Sequence, residues 1–284
     1  MGVSGETRAW LRVAPAMTVL AWGGNHFIPL MLMYRRIDGY DQVQVDLSLA
    51  VYVVGIVPGF LLAGTWSDRW GRKPIMFVGV TIGIVASVIL ALFSDHLVGM
   101  CIGRFLSGLS VAVAMVVGSS WVKELSVAEG RGPSGARRAS VALSIGFGGG
   151  AGVSGVLAQW APLPTLLPFA VQIAASLVAL AVLARSIETR LPDRSVTSLI
   201  GDLKVPAGSG RRFVRVILPM APWIFGASAL SYAVGPSLVA TRVGGLVVAF
   251  ATLVTVLTLG VGTAVQLSSA AIDRLLRGRS GPSA

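Results

Sequence analysis

Charge is scarce in this chain of 284 residues, of which Asp, Glu, Lys and Arg together make up 12%. Soluble domains carry about 25%, and 54% of this chain is hydrophobic, so the composition excludes an ordinary soluble domain. Cysteine occurs once, at Cys101, which excludes an intrachain disulfide and a thiolate metal cluster. The two histidines, His26 and His96, have no accompanying catalytic triad, paired carboxylates or metal ligands, so an enzyme is not expected.

Long apolar runs are what the chain has in abundance. A run of roughly 20 apolar residues is long enough to cross a membrane as a helix. The sequence predicts eight such runs, which we number as spans 1 to 8: 13–34, 45–66, 74–93, 97–120, 139–160, 163–184, 213–240 and 244–270. We therefore predict an all-α membrane protein.

The basic residues predict the orientation of these spans. With a cytoplasmic N-terminus, 19 of the 23 Lys and Arg residues fall in segments inside the cell, and three, Arg35, Arg36 and Arg242, fall in outer loops. An excess of cations on the cytoplasmic side is the usual pattern of membrane proteins. The net charge of +11 then faces the anionic lipid surface, so nucleic acid is not an expected partner.

One loop divides the chain, because residues 185–212 are polar, basic and rich in Gly, Pro and Ser, as linkers are. The sequence predicts a six-span bundle at 1–190, a cytoplasmic linker at 191–210 and a partial second bundle of two spans at 211–284. Two short patterns support an internal repeat. R-x3-R-V-x3-M begins at Arg8 and again at Arg211, and D-R-x2-R begins at Asp68 and again at Asp273. Repeats of this size are typical of transporters.

The loop between spans 2 and 3 reads GTWSDRWGRKP and is the first strongly charged run in the chain. It resembles the signature that follows the second helix in the major facilitator superfamily, G-x3-D-[RK]-x-G-[RK]-[RK]. The matching positions are Gly64, Asp68, Arg69, Gly71, Arg72 and Lys73. The alternative is a solvated turn whose cations only follow the positive-inside pattern.

Two further motifs are similar to that family. In span 4, RFLSGLS contains Arg104 and Gly108, as in the family's second motif. In span 5, GFGGGAGVSG resembles the antiporter motif G-x3-G-P-x2-G-G, which would place Gly146, Gly150, Ser154 and Gly155 at a helix-packing face. The motif departs at Ala151, where the family has proline, and at Ser154, where it has glycine, which weakens the case for an antiporter.

The resemblance implies transport of a small molecule by alternating access, in which two six-helix halves rock about a central site. It suggests proton-coupled efflux of drug-like compounds across a bacterial plasma membrane. In the family the loop motif braces the two halves on the cytoplasmic side, and its aspartate meets the eleventh helix. The family has twelve spans and this sequence has eight. A truncated product that does not transport and a membrane scaffold are therefore the alternatives.

A candidate site for substrate or protons lies at mid-depth in the bundle. Arg104 follows His96 by eight residues and His26 precedes Arg35 by nine, so each lies roughly 12 to 13 Å deep at 1.5 Å per residue. An intramembrane arginine is costly and should face the interior with a partner. We expect Asn25 or His26 beside Arg104, and Gln266 in span 8 as a buried polar group. The alternatives are an outward-reaching arginine and a histidine that only packs.

No cofactor, metal or nucleotide is expected. Gly150, Gly152 and Gly155 fit a dinucleotide fingerprint, but that fingerprint requires a preceding strand, and here it lies within an apolar helix. The expected partners are a small-molecule substrate, protons and membrane lipids.

Overall fold

The computed structural model of the protein describes residues 8–192 and 230–277, together with positions 214, 215, 219, 220, 223, 226 and 227. Side chains are described as far as residue 268, apart from those of residues 232 and 233. Within these residues the structure is helical and contains no strand.

Five helices in the described part of the chain are long and apolar enough to cross a membrane: Gln42–Trp70, Arg72–Phe93, Leu97–Ala128, Gly132–Trp160 and Ala240–Ser268. They correspond to spans 2, 3, 4, 5 and 8. Span 6 forms a shorter apolar helix, Leu167–Leu183. The all-α membrane fold predicted from the sequence is therefore confirmed.

Span 1 differs from the single helix that the sequence predicts. It consists of two helices, Ala14–Asn25 and Phe27–Ile37, which meet at His26. Pro29 explains the break because it has no N–H to donate to the carbonyl of Asn25, four residues earlier. The break lies where Asn25 and His26 were expected to take part in a polar site.

Span 4 is longer than predicted and continues to Ala128 through a π-helical segment, Ala114–Gly118. Span 8 continues as a helix from Val247 to Arg277. The second D-R-x2-R pattern, from Asp273, therefore lies on a helix, although its side chains are outside the described ones.

Most of span 7 and of the predicted linker lies outside the described residues. The described end of span 7 is broken into a π segment, Leu230–Val234, and two short helices, Gly235–Leu238 and Ala240–Val243. The first residues of the polar loop 185–212 are described: Arg185 to Arg190 follow the end of the span 6 helix.

Two apolar clusters form the core of spans 1 to 6, and the second also includes the first residues of the span 8 helix. One surrounds Met17, Met76 and Trp121 on the side of the loop between spans 2 and 3, and the other surrounds Phe27 and Phe169 at the opposite end of the bundle. Buried polar side chains lie between the two clusters on four different spans: Asn25, His26, Ser87, Arg104, Gln172 and Ser176. The bundle therefore has a polar layer at mid-depth, and we use that name for these six residues.

Candidate functional site

The loop between spans 2 and 3 turns at Gly71. The helix of span 2 ends at Trp70 and the helix of span 3 begins at Arg72, so a single residue reverses the chain. Gly71 has φ +99°, a conformation that residues with a side chain rarely adopt. A Cβ there would also lie 2.7 Å from Oε2 of Glu188, so both the turn and its neighbour require glycine.

Arg72 lies at the centre of the loop's charges and is only 7% exposed. Its Nη1 is 2.9 Å from Oδ1 of Asp68, and its Nη2 is 2.7 Å from Oε1 of Glu124 on span 4. It also donates to the hydroxyl of Ser67. Because the guanidinium is buried and its two carboxylates are only about one third exposed, these pairs should contribute more than a surface ion pair.

Glu188, just beyond span 6, caps the helix of span 3. Its Oε1 accepts from the backbone N–H of Arg72 at 3.0 Å and its Oε2 from that of Lys73 at 2.8 Å. The first N–H groups of a helix have no partner within the helix, and the helix dipole favours a carboxylate there. The capping carboxylate thus comes from Glu188, whereas Asp68 pairs with Arg72.

The remaining cations of the loop have separate surroundings. Lys73 Nζ donates to the carbonyl oxygens of Ala184 at 2.8 Å and Ser186 at 3.1 Å. Arg69 is exposed and lies over the ring of Trp70, 5.6 Å from its centroid. Lys73 therefore joins the end of span 6 to the loop, and Arg69 faces outward.

Glu124 and Glu188 contact the loop between spans 2 and 3, and no motif in the sequence marks them. Thr189, the residue after Glu188, donates a hydrogen bond from its hydroxyl to Glu124. The segment that carries Glu188 therefore also contacts Glu124. Both acids lie in segments, 121–138 and 185–212, that contain more basic than acidic residues. A carboxylate among cations is placed to pair with one of them, but the sequence alone does not say which.

Arg104 lies in the polar layer and is 1% exposed. Its guanidinium carbon is 4.4 Å from the centroid of the Phe27 ring and 4.2 Å from that of Tyr52. Cation–π contacts of this kind contribute about 2 kcal/mol when water is excluded. Its Nε and Nη1 atoms have no hydrogen-bond partner among the described residues.

Asn25 and His26 are buried on the same stretch of span 1, but neither forms a described hydrogen bond with Arg104. The His26 ring packs edge-on against Phe169 of span 6, with centroids 4.8 Å apart, and both ring nitrogens lack a hydrogen-bond partner among the described residues. The residue of span 1 that contacts the Arg104 guanidinium is Phe27, which follows His26 in the chain. Phe27 and Tyr52 were not selected from the sequence, because aromatic residues in an apolar run carry no distinguishing pattern.

Gln266 lies away from the polar layer. Its side chain is exposed in the described part of the chain, in the inner half of span 8, so the prediction that it is buried is wrong. The reason is that the first half of span 8 packs against span 5, and the second half extends beyond that contact.

The small residues of span 5 pack against span 1. A Cβ on Gly146 would collide with the backbone of Thr18, and one on Gly150 would lie 2.5 Å from Cδ1 of Trp22. Ser154, where the similar motif has glycine, accepts a hydrogen bond of 3.1 Å from Nε1 of Trp22. The departure at this position therefore supplies a polar partner for a tryptophan inside the bundle.

In span 4, a Cβ on Gly108 would collide with the backbone of Tyr52, so spans 2 and 4 also approach closely. The first glycine of the loop motif behaves differently. A Cβ on Gly64 would make an ordinary contact of 3.5 Å with Val116. This position therefore has room for a methyl group.

Taken together, the bundle of apolar helices, its charged inner loop and its buried mid-depth arginine define a multi-pass helical membrane protein. The sequence profile of the Major Facilitator Superfamily matches residues 13–282, so the chain belongs to that family of membrane transporters.

Curated relatives match shorter segments of the chain. The multidrug resistance protein MdtL of Klebsiella pneumoniae is 37% identical over 81 residues, which cover 28% of this chain and 20% of that protein. A probable metabolite transport protein of Saccharomyces cerevisiae is 30% identical over 126 residues, which cover 44% of this chain and 24% of that protein. The matched segments thus span a fifth to a quarter of these relatives.

Among solved structures, an auto inhibited POT family peptide transporter is similar in fold. The TM-score is 0.53 at 17% sequence identity, and the match covers 93% of this chain and 54% of that one. The similarity supports the architecture of the helices and carries no information about substrate.

Proposed function

We propose that the protein moves a small molecule across the bacterial plasma membrane by alternating access, exporting drug-like compounds in exchange for protons. Residues 1–190 would form one six-helix unit, 191–210 the cytoplasmic linker and 211–284 the beginning of the second unit, with the N-terminus in the cytoplasm. The local similarity to a protein named for multidrug resistance supports the choice of substrate class. The protein would act as a carrier and not as an enzyme.

The observation that carries this proposal is Arg104 in the polar layer. A buried cation without a carboxylate within ion-pair distance among the described residues is costly, so its retention at mid-depth favours a functional role. The aromatic rings of Phe27 and Tyr52 fix the guanidinium, and its free Nε and Nη1 donors are suited to an acceptor group on a substrate. His26 is close along span 1 and is suited to exchanging a proton.

The loop between spans 2 and 3 would serve gating. Asp68, Arg72 and Glu124 tie the inner ends of spans 2, 3 and 4 together, and Glu188 adds the end of span 6. These four spans would then move as one body when the inner side opens and closes. Gly64, Arg69, Gly71 and Lys73 complete the motif in that role.

The test is transport by the purified chain in lipid vesicles. Efflux of a drug-like dye that carries a hydrogen-bond acceptor and no positive charge would be followed with and without a proton gradient for the wild type, Arg104→Gln and Arg104→Lys. We expect Arg104→Gln to lose at least tenfold in rate, because the positive charge and the planar fork of guanidinium donors are lost and only one amide NH2 group remains, and Arg104→Lys to keep part of the rate. Arg137→Gln, which changes an exposed cation near the start of the span 5 helix, is the matched control.

A normal rate for Arg104→Gln would overturn the assignment of the site. A wild type that folds but moves no dye in either condition would overturn drug efflux itself and favour the scaffold or the truncated product.

A further inference from the structure

The outer end of span 5 holds the beginning of span 8 through the amide of Gln159. Its Oε1 accepts from the backbone N–H of Ala249 at 3.0 Å, and its Nε2 donates to the carbonyl of Gly245 at 3.1 Å. Arg36, at the outer end of span 1, donates from Nη1 to the same carbonyl at 3.4 Å. We call these four residues the outer clasp.

The clasp satisfies backbone groups that span 8 cannot satisfy alone. The helix begins at Val247, so the N–H of Ala249 is in its first turn and has no carbonyl partner within the helix. A glutamine side chain can accept and donate at once, so one residue serves both the helix and the turn before it. The cap comes from span 5, in the first half of the chain, and therefore links the two halves.

Packing below the clasp becomes looser towards the cytoplasm. A Cβ on Gly155 would collide with Thr252, one on Gly152 would lie 3.3 Å from Val256, and one on Gly148 would lie 3.8 Å from Leu259. Farther inward, Val261 and Val265 are exposed in the described part of the chain, at 62% and 55%. Spans 5 and 8 are thus closest at their outer ends and diverge towards the inner side.

From this arrangement we infer that Gln159 is a positioning residue for alternating access, because it holds the outer side of the transporter closed. The inference rests on the proposed function, in which the two halves must separate on the outer side once in each cycle. When they do, the Gln159 contacts to Gly245 and Ala249 and the Arg36 contact to Gly245 must break together. The outer clasp therefore sets how often the outer side opens.

The test measures the opening of the outer side directly. Val248, the second residue of the span 8 helix, is 4% exposed and packs in the outer apolar cluster. In the full chain with Cys101→Ser, the variant Val248→Cys would be labelled with a membrane-impermeant maleimide in vesicles. We expect Gln159→Leu to raise the labelling rate roughly tenfold, since two hydrogen bonds to the closed state are lost.

Two further variants keep the test sharp if Gln159→Leu folds poorly. Ala249→Pro removes the N–H that Gln159 accepts from and crowds the Gly245 carbonyl, at a position in the first turn where proline is tolerated, so it should also raise the rate. Val156→Leu, on an exposed part of span 5, should leave the rate unchanged. The melting temperature of each variant would be measured alongside, so that faster labelling is separated from unfolding.

Unchanged labelling in both clasp variants, with normal melting temperatures, would overturn the inference even if the wild type transports. Faster labelling in a protein that moves no dye would support the clasp and count against the proposed function.

Discussion

The two glycines of the inner loop show how much a single residue's surroundings decide. Gly71 has a positive φ and faces the Glu188 carboxylate, whereas Gly64 lies in the helix of span 2 with room for a methyl group. The similar signature specifies glycine at both positions, but in this structure only Gly71 is required by geometry. Glycine is required at position 71 both by the backbone conformation of the turn and by the Glu188 side chain that caps the next helix.

We therefore expect Gly71→Ala to destabilise the protein by about 1 to 3 kcal/mol, because the side chain is strained at this φ and displaces Glu188 from the helix terminus. Gly64→Ala should change stability by less than about 0.5 kcal/mol. Thermal unfolding of both variants in the same detergent measures the difference. Equal melting temperatures for the two variants would show that the Glu188 cap contributes nothing.

The charges of the same loop could be predicted in part. The motif places Asp68 and Arg72 four residues apart in one loop, and they form an ion pair in the structure. Glu124 and Glu188 are 52 and 116 residues from Arg72 along the chain. Pairing over such separations depends on how the helices pack, so the sequence did not show these partners.

At the scale of the element, the helix of span 5 packs against two neighbours with two different faces. Gly146, Gly150 and Ser154 approach span 1, while Gly152 and Gly155 approach span 8. The sequence predicted close packing from the small residues but did not separate the faces, because small residues occur on both faces of the helix. The helical period assigns the faces only when the neighbouring helices are known.

Adjacent glycines of span 5 give a matched pair for a prediction. Gly150→Ala would place a methyl group against Trp22, so we expect the melting temperature to fall by several degrees. Gly149→Ala meets nothing within 4 Å and gains about 1 kcal/mol of helix propensity, so it should be neutral or stabilising. Thermal unfolding of both variants measures the difference. A similar fall in melting temperature for both would contradict the assignment of the faces.

Span 1 shows a limit of prediction from hydropathy. The apolar run was found, but hydropathy does not register that Pro29 breaks the helix at His26. The consequence is that Phe27, and not Asn25 or His26, meets the Arg104 guanidinium. A shift of one or two residues turns a helix by about 100° to 200°, which is enough to exchange one contact for another.

At the scale of the whole molecule, the distribution of cations predicts a cytoplasmic N-terminus. In a Cys101→Ser background, we expect Leu163→Cys, in the exposed loop between spans 5 and 6, to react with an impermeant maleimide on intact cells. Arg131→Cys, in the loop between spans 4 and 5, should react only after permeabilisation. The opposite pattern would reverse the orientation, and with it the assignment of the outer clasp to the outer side.

The sequence by itself determined the membrane class, the approximate positions of the spans and the family, because long apolar runs and a local signature are properties of the chain read in order. The tertiary structure alone decided which charges pair with Arg72, which rings hold Arg104, and that Gln159 reaches span 8 while Gln266 remains exposed. These contacts join residues far apart in the chain. They depend on helix rotation and crossing, which a hydropathy pattern does not specify.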